Sequence, residues 1–178
     1  MSSNEHFSES IQGVTEKFYL GDYPLQQGAT LRGAWISYRT HGTLNANKDN
    51  AILFPHMYSG SHKDMELYVG PGRACDPDKY FIILPGQFGN GVSSSPSNTA
   101  PPYNQAAFPK IQIEDDVIAQ QRLVTEQFGI SELQLVTGWS MGAQQTYEWA
   151  IRFPDMVKRA APIAGTAQCT PHDQLFID

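Results

Sequence analysis

The sequence predicts an α/β protein in which helices cover both faces of a mostly parallel sheet. Four short apolar runs predict strands that are buried on both faces, as the strands of parallel sheets are. These runs are AILFP at 51–55, YFIILP at 80–85, LQLV at 133–136 and AAPIAG at 160–165. Helical segments lie at 113–130 and 141–153, between the later runs. Strands that alternate with helices in this way indicate a parallel, doubly covered sheet.

Before these runs, two segments alternate apolar and polar residues and predict an antiparallel pair of strands. They are VTEKFYL at 14–20 and LRGAWISYRTHG at 31–42. A cluster of turn-forming residues, LNANKDN at 44–50, separates the second segment from the first buried run. Residues 1–13 are predicted to form a flexible N-terminus, and residues 14–178 are assigned to one domain.

The first helical segment opens with three acidic residues, Glu114, Asp115 and Asp116. Their charges suit the positive end of a helix dipole. We interpret Asp115 and Asp116 as solvent-exposed charges rather than as a carboxylate pair for acid–base chemistry. Gly129 is predicted to end this helix, because glycine adopts the left-handed conformation that often follows a helix. The loop 85–110 is rich in Gly, Ser, Pro and Asn. A loop of that length in a compact domain is functional or mobile.

Charge and composition exclude several classes of function. Lysine and arginine number 12, aspartate and glutamate 18, and the net charge is −6. Without a basic cluster, such a chain is a poor partner for nucleic acids or anionic membranes. Neither a membrane span nor a signal peptide is visible, which predicts a cytoplasmic protein. Cys75 and Cys169 form neither a disulfide framework nor a metal set, so no bound metal or cofactor is expected.

The most informative motif is GWSMG at 138–142, which fits the pattern G-x-S-x-G. An apolar strand leads into it and a helix follows, as in a nucleophile elbow. The elbow is a sharp, strained turn, so Gly138 and Gly142 would be needed where strand and helix approach closely. We therefore predict that Ser140 is a catalytic nucleophile. The alternative is that Ser140 only caps the helix 141–153.

A nucleophilic serine of this kind needs N–H groups that bind the developing oxyanion. The elbow directs the N–H of Met141 at that position. A second N–H comes from the loop after an earlier strand. Tyr58, at the turn of HMYSGSH (56–62), is predicted to be this donor, and the alternative is a simple connection. His56 and His62 are interpreted as shaping this loop rather than as a catalytic base.

Longer stretches are more specific than the serine motif alone. They are HMYSGSH, GPGRACDPDKYFII, FPKIQIEDDVIAQ and GWSMGAQQTYEWAIRFPDMV, and they span about residues 56–165. In this order, the stretches resemble the homoserine O-acetyltransferase group of the α/β-hydrolase superfamily. The resemblance implies the α/β-hydrolase fold.

The resemblance also implies a two-step acyl transfer. Ser140 would take the acetyl group of acetyl-CoA, the expected acyl donor, and pass it to the hydroxyl of homoserine in methionine biosynthesis. The N–H groups of Met141 and, by position, Tyr58 would hold each oxyanion. Two alternatives stay open. One is a serine esterase on the same fold, and the other is a non-catalytic α/β-hydrolase scaffold.

Three positions depart from the pattern of that family. Ala143 and Gln144 stand where the family usually has a further glycine after Ser-Met-Gly. GQFG at 86–89 stands where the family has N-x-L-G, and an arginine often lies near the position of Ile118. These departures are expected to line or approach the acyl and alcohol pocket. They would change the acceptor more than the nucleophile.

The acid and base of the expected triad are not found in this chain. In α/β-hydrolases both follow the nucleophile on later strands. His172 follows Ser140 but adjoins Asp173, an adjacency that rarely orients a catalytic pair, so a surface histidine is favoured. The chain is therefore expected to be the N-terminal part of a longer domain and inactive alone. It is also expected to form a homodimer or to associate with the missing half.

Overall fold

The computed structural model describes residues 15–177, which form six strands and four α-helices. The segment 1–13, predicted to be flexible, lies outside the described residues. The strands are β1 (Glu16–Pro24), β2 (Thr30–His41), β3 (Ala51–Leu53), β4 (Phe81–Pro85), β5 (Leu135–Trp139) and β6 (Ala160–Ile163). The α-helices are α1 (His62–Glu66), α2 (Ile113–Arg122), α3 (Met141–Arg152) and α4 (Pro171–Ile177). A 3₁₀ turn occupies Gln105–Ala107, and a π-helical turn occupies Leu123–Gln127.

The strands join one sheet in the order β1-β2-β4-β3-β5-β6. β2 pairs antiparallel with both β1 and β4. The pairs β3–β4, β3–β5 and β5–β6 are parallel. The prediction of an antiparallel pair followed by a mostly parallel sheet is confirmed.

Alternate residues of the two central strands face two separate cores. On one face, Leu53 and Ile83 join a core cluster with side chains of α2 and α3. On the other face, Ile52 and Ile82 pack with Met65 of α1. Successive side chains of a strand point to opposite faces. Continuous apolar runs therefore fill a core on each side of the sheet, as the sequence predicted.

Two element boundaries differ from the prediction. Leu133 lies before β5 and makes only an isolated bridge. The helix predicted at 113–130 is α-helical to Arg122 and then widens into the π-helical turn. There the Thr125 hydroxyl donates to a backbone carbonyl one turn earlier and competes with the helical N–H groups. Gly129 ends the segment with φ of 63°, as predicted.

β6 forms one edge of the sheet within the described residues. It pairs there with β5, and Ile163 leaves 53% of its surface exposed. An open edge of this kind presents unpaired backbone groups that favour association with another strand.

Candidate functional site

Ser140 lies at the sharp turn between β5 and α3, where the motif predicted it. Its φ of 56° and ψ of −123° are rare for residues with a side chain, and such strain costs about 1–3 kcal/mol. The Ser140 N–H donates to the Ile163 carbonyl at 3.1 Å, and its carbonyl accepts from the Ala143 N–H at 2.9 Å. Hydrogen bonds to β6 and to the first turn of α3 therefore hold the strained residue in place.

Gly138 and Gly142 allow the strand and helix to approach closely. A Cβ at Gly138 would lie 2.5 Å from the carbonyl oxygen of Gly142. A Cβ at Gly142 would lie 2.5 Å from the carbonyl oxygen of Pro55. Both neighbours are backbone atoms, which cannot swing away as a side chain can. The predicted need for glycine on both sides of Ser140 is confirmed.

The helix-cap alternative does not account for Ser140. The residue occupies the N-cap position of α3, but its side chain makes no capping hydrogen bond. Ser140 is exposed and lines a cavity of about 660 Å³. The cavity lies at the carboxyl ends of three strands. It is lined by residues 57–59 after β3, 139–141 from the end of β5 to the start of α3, 164–166 after β6, and by Gln144, Cys169, His172 and Asp173.

The two residues predicted to bind an oxyanion line this same cavity. Met141 is the first residue of α3, so its N–H is one that the helix leaves unpaired. Tyr58 lies in the loop after β3, and 73% of its surface is exposed. Neither N–H makes a hydrogen bond to another part of residues 15–177. Both groups are therefore available to a ligand bound beside Ser140.

The ring of His56 is buried and connects the loop after β3 to its surroundings. Its Nδ1 lies 2.8 Å from the Met57 carbonyl oxygen, and its Nε2 lies 3.0 Å from Asn90 Nδ2. Burial lowers the pKa of His56 to about 4, so the ring is neutral near pH 7. These contacts agree with the interpretation of His56 as a residue that shapes the loop.

His62 belongs to a second buried polar group, which the sequence did not indicate. Its Nε2 lies 3.0 Å from Ser37 Oγ, which in turn lies 3.1 Å from Ser93 Oγ. Burial lowers the pKa of His62 to about 3. Since these residues belong to α1, β2 and the loop after β4, their hydrogen bonds tie these three elements together.

Residues 50–178 match the family described as the alpha/beta hydrolase fold. The chain belongs to the α/β-hydrolase fold family.

Similar proteins include hydrolases and an acyltransferase. An ethyl acetate hydrolase from Pseudomonas veronii is 52% identical over 98% of this α/β-hydrolase chain. The crystal structure of an acetylester hydrolase from Corynebacterium glutamicum is 51% identical over 99% of the chain, with a TM-score of 0.95. A homoserine O-acetyltransferase from Methanobrevibacter ruminantium is 38% identical over 91% of the chain.

This relationship confirms the predicted link to the homoserine O-acetyltransferase group. The chain covers 50%, 51% and 36%, respectively, of the three proteins just described. It therefore spans about half the length, or less, of these relatives.

The three departures from the acetyltransferase pattern lie in different surroundings. Gln144 lines the cavity, whereas Ala143 is buried. Gln87 is also buried, and its Nε2 donates to the His56 carbonyl at 2.6 Å. Ile118 packs against the core of the α/β-hydrolase rather than in the expected pocket. Gln144 and Gln87 are thus the departures that contact the cavity and its loop.

Asp115 and Asp116 are both buried, so the interpretation of these residues as solvent-exposed charges is wrong. Asp115 accepts hydrogen bonds from the N–H groups of Gln26 and Gln112, each at 2.8 Å. Asp116 accepts one from the Phe88 N–H at 2.8 Å. Buried carboxyl groups are tolerated when such donors satisfy them. Asp116 thereby ties α2 to the loop that follows β4.

Replacing Asp116 with asparagine is expected to stabilise the α/β-hydrolase as pH rises. Burial, and then the charge of Asp115, raises the pKa of Asp116 from 3.8 to about 8. Above about pH 4 the unfolded state ionises while the folded state keeps its proton, so Asp116 lowers the free energy of unfolding as pH rises towards 8. Asparagine keeps an oxygen for the Phe88 N–H. As the pH rises towards 8, the free energy of unfolding of Asp116→Asn should exceed that of the wild type by on the order of 1 kcal/mol or more.

Urea unfolding between pH 4 and 8 measures this effect. Asp76→Asn is the control, because the N–H groups of Gly72 and Asp78 lower the pKa of the Asp76 carboxyl. The contribution of Asp76 to stability changes only below about pH 4. The free energy of unfolding of Asp76→Asn should therefore lie below that of the wild type by a constant amount between pH 4 and 8. An Asp116→Asn curve parallel to the wild-type curve would contradict the prediction.

His172 lines the same cavity as Ser140, from the first turn of α4. Asp173 accepts hydrogen bonds from the N–H and hydroxyl of Thr170, at 3.0 and 2.8 Å. These two hydrogen bonds stabilise the start of α4 and do not orient His172. No hydrogen bond joins His172 to Ser140 within residues 15–177. That the catalytic base and acid lie outside this chain therefore remains a prediction.

The cysteines lie in different environments. Cys75 is buried and Cys169 is exposed, and both are free thiols. Within the described part of the chain, no group of three or more His, Cys, Asp or Glu residues could hold a metal ion. No helix in that part is long and apolar enough to cross a bilayer.

Proposed function

We propose that this α/β-hydrolase is a serine esterase that hydrolyses short-chain acyl esters, with Ser140 as the nucleophile. The conformation of Ser140 carries the proposal. A strained φ of 56° exposes its side chain to a cavity that it shares with the unpaired N–H groups of Met141 and Tyr58. Backbone strain of this kind persists only where the surrounding structure imposes it, and it is concentrated at functional sites.

In the proposed reaction, Ser140 Oγ attacks the acyl carbonyl carbon while a histidine base takes its proton. The N–H groups of Met141 and Tyr58 bind the oxyanion, and each such donor contributes roughly a hundredfold or more in rate. The bond to the alcohol oxygen then breaks, the alcohol leaves with the proton, and the acyl group stays on Ser140. Water attacks the acyl-serine, releases the carboxylic acid and restores the hydroxyl.

Similarity supports water, rather than an alcohol, as the acyl acceptor. The relatives at 51–52% identity are named as an acetylester hydrolase and an ethyl acetate hydrolase. The acetyltransferase relative is 38% identical. Acetyl esters of small alcohols are accordingly the substrates that we propose.

An acetyltransferase is the second candidate. The four stretches that resemble the homoserine O-acetyltransferase group, and the 38% identity to one of its members, support it. Acetyl-CoA would then be the donor and homoserine the acceptor. The resemblance in sequence favoured this function, whereas the higher identity to esterases now favours hydrolysis.

The acceptor can be tested with the complete gene product. p-Nitrophenyl acetate should be hydrolysed, and thiol release from acetyl-CoA should not depend on homoserine. Thiol release that rises with homoserine concentration would instead establish the acetyltransferase. A fluorophosphonate probe should label the wild-type protein but not Ser140→Ala. Failure to label wild type would support a non-catalytic scaffold.

A further inference from the structure

The amide of Asn90 has a fixed orientation. Its Oδ1 accepts hydrogen bonds from the N–H groups of Val92 and Ser93, at 3.1 and 3.3 Å. Only an oxygen can accept from two backbone N–H groups, so rotating the amide by 180° would break both contacts. The Nδ2 group of Asn90 must therefore be the atom that faces His56 Nε2 at 3.0 Å.

The fixed amide determines where the His56 ring carries its proton. A donor faces Nε2, so Nε2 must be the unprotonated, accepting nitrogen. The other nitrogen, Nδ1, faces the Met57 carbonyl oxygen at 2.8 Å and must be the donor. Both contacts require the neutral tautomer with the proton on Nδ1. A neutral imidazole free in water favours the proton on Nε2, so the surroundings select the less common form.

The carbonyl that His56 binds belongs to the same peptide group as the Tyr58 N–H. A trans peptide group is planar, with its C=O and N–H pointing in opposite directions. Fixing the Met57 oxygen therefore fixes the direction of the Tyr58 N–H. The Gly60 N–H donates to the same oxygen at 3.1 Å. The preceding carbonyl, that of His56, accepts from Gln87 Nε2 at 2.6 Å.

We propose that His56, held by Asn90 with its proton on Nδ1, is a positioning residue that aims the Tyr58 N–H at the oxyanion. This inference rests on the proposed function, because it needs an oxyanion beside Ser140. The ring itself touches no reacting atom. Its contribution is to hold one peptide group in the orientation that the transition state requires, since misplaced donors lose most of their effect.

Two substitutions separate this role from simple packing. In His56→Asn, the side-chain NH₂ can occupy the place of Nδ1 and still donate to the Met57 carbonyl. In His56→Gln, the amide extends to the place of Nε2, where its Oε1 can accept from Asn90, but no donor remains at the place of Nδ1 for the Met57 carbonyl. Glutamine is closer to histidine in volume, so a packing role would favour glutamine, whereas the proposed role favours asparagine.

The kinetic test uses p-nitrophenyl acetate and the complete gene product. His56→Gln should lower kcat about tenfold to a hundredfold, with KM changed by less than about twofold. His56→Asn should retain most of kcat. A His56→Gln enzyme as active as His56→Asn would overturn the proposal.

The spectroscopic test needs neither a variant nor activity. Long-range ¹H–¹⁵N spectra of wild-type protein at pH 7 should show His56 with a protonated Nδ1 and an unprotonated Nε2. A spectrum with the proton on Nε2 would overturn the proposal even if the variants fail to fold. Hydrolysis that survives Ser140→Ala would instead overturn the proposed function, and the His56 spectrum would still report the tautomer separately.

Discussion

Replacing Ser140 with alanine is expected to lower kcat for p-nitrophenyl acetate by roughly a thousandfold or more. The substitution removes the atom that forms the acyl-enzyme, so only substrate binding and the oxyanion donors remain. Stability should change little, within about 0.5 kcal/mol, because the exposed side chain makes no capping hydrogen bond. Steady-state kinetics and thermal unfolding of the complete gene product measure the two effects.

Ser59→Ala is the matched control for this experiment. Ser59 is also exposed and lines the same cavity, but it lies in the loop after β3 rather than at the elbow. Its loss should change kcat by no more than about a few-fold. A Ser140→Ala enzyme that kept a tenth or so of wild-type kcat would exclude Ser140 as the nucleophile.

Replacing Gly142 with alanine is expected to damage both stability and activity. The added Cβ would lie 2.5 Å from the Pro55 carbonyl oxygen and 3.2 Å from that of His56. To relieve this clash, α3 must move away from the end of β3, which separates Ser140 from Tyr58. Overpacking of this kind costs about 1–3 kcal/mol, and misplacing a catalytic group by about 1 Å costs on the order of a hundredfold in rate.

For Gly142→Ala, the close approach and helix propensity predict changes of opposite sign in the free energy of unfolding. Gly142 lies in α3, and its φ is not positive, so helix propensity alone would make alanine stabilising by about 1 kcal/mol. Gly70→Ala is the control, because a Cβ there would meet only the flexible side chain of Arg73, at 3.5 Å. The free energy of unfolding, measured by chemical denaturation, and kcat should both fall for Gly142→Ala but not for Gly70→Ala. A stabilised, active Gly142→Ala enzyme would disprove the close approach.

The fold and the elbow could be predicted from sequence because their signals are local. Continuous apolar runs marked β3, β4 and β5, and the two glycines of GWSMG marked the turn at 138–142. The backbone strain at Ser140 and the close contact between Gly138 and Gly142 lie within that same short stretch. From sequence, the position of Tyr58 beside the elbow follows only by analogy with other nucleophile elbows. In the structure, Tyr58 and Ser140 line one cavity.

The sequence by itself determined which segments form the strands and the two long helices, the elbow and the family. The tertiary structure alone decided which polar groups are buried and which hydrogen bonds they make. Asp116 binds Phe88 across 28 residues, and His56 binds Asn90 across 34 residues. Periodicity and turn composition report on neighbours in the chain. The burial of a carboxyl group or the tautomer of a ring depends instead on donors that only the folded chain brings within 3 Å or so.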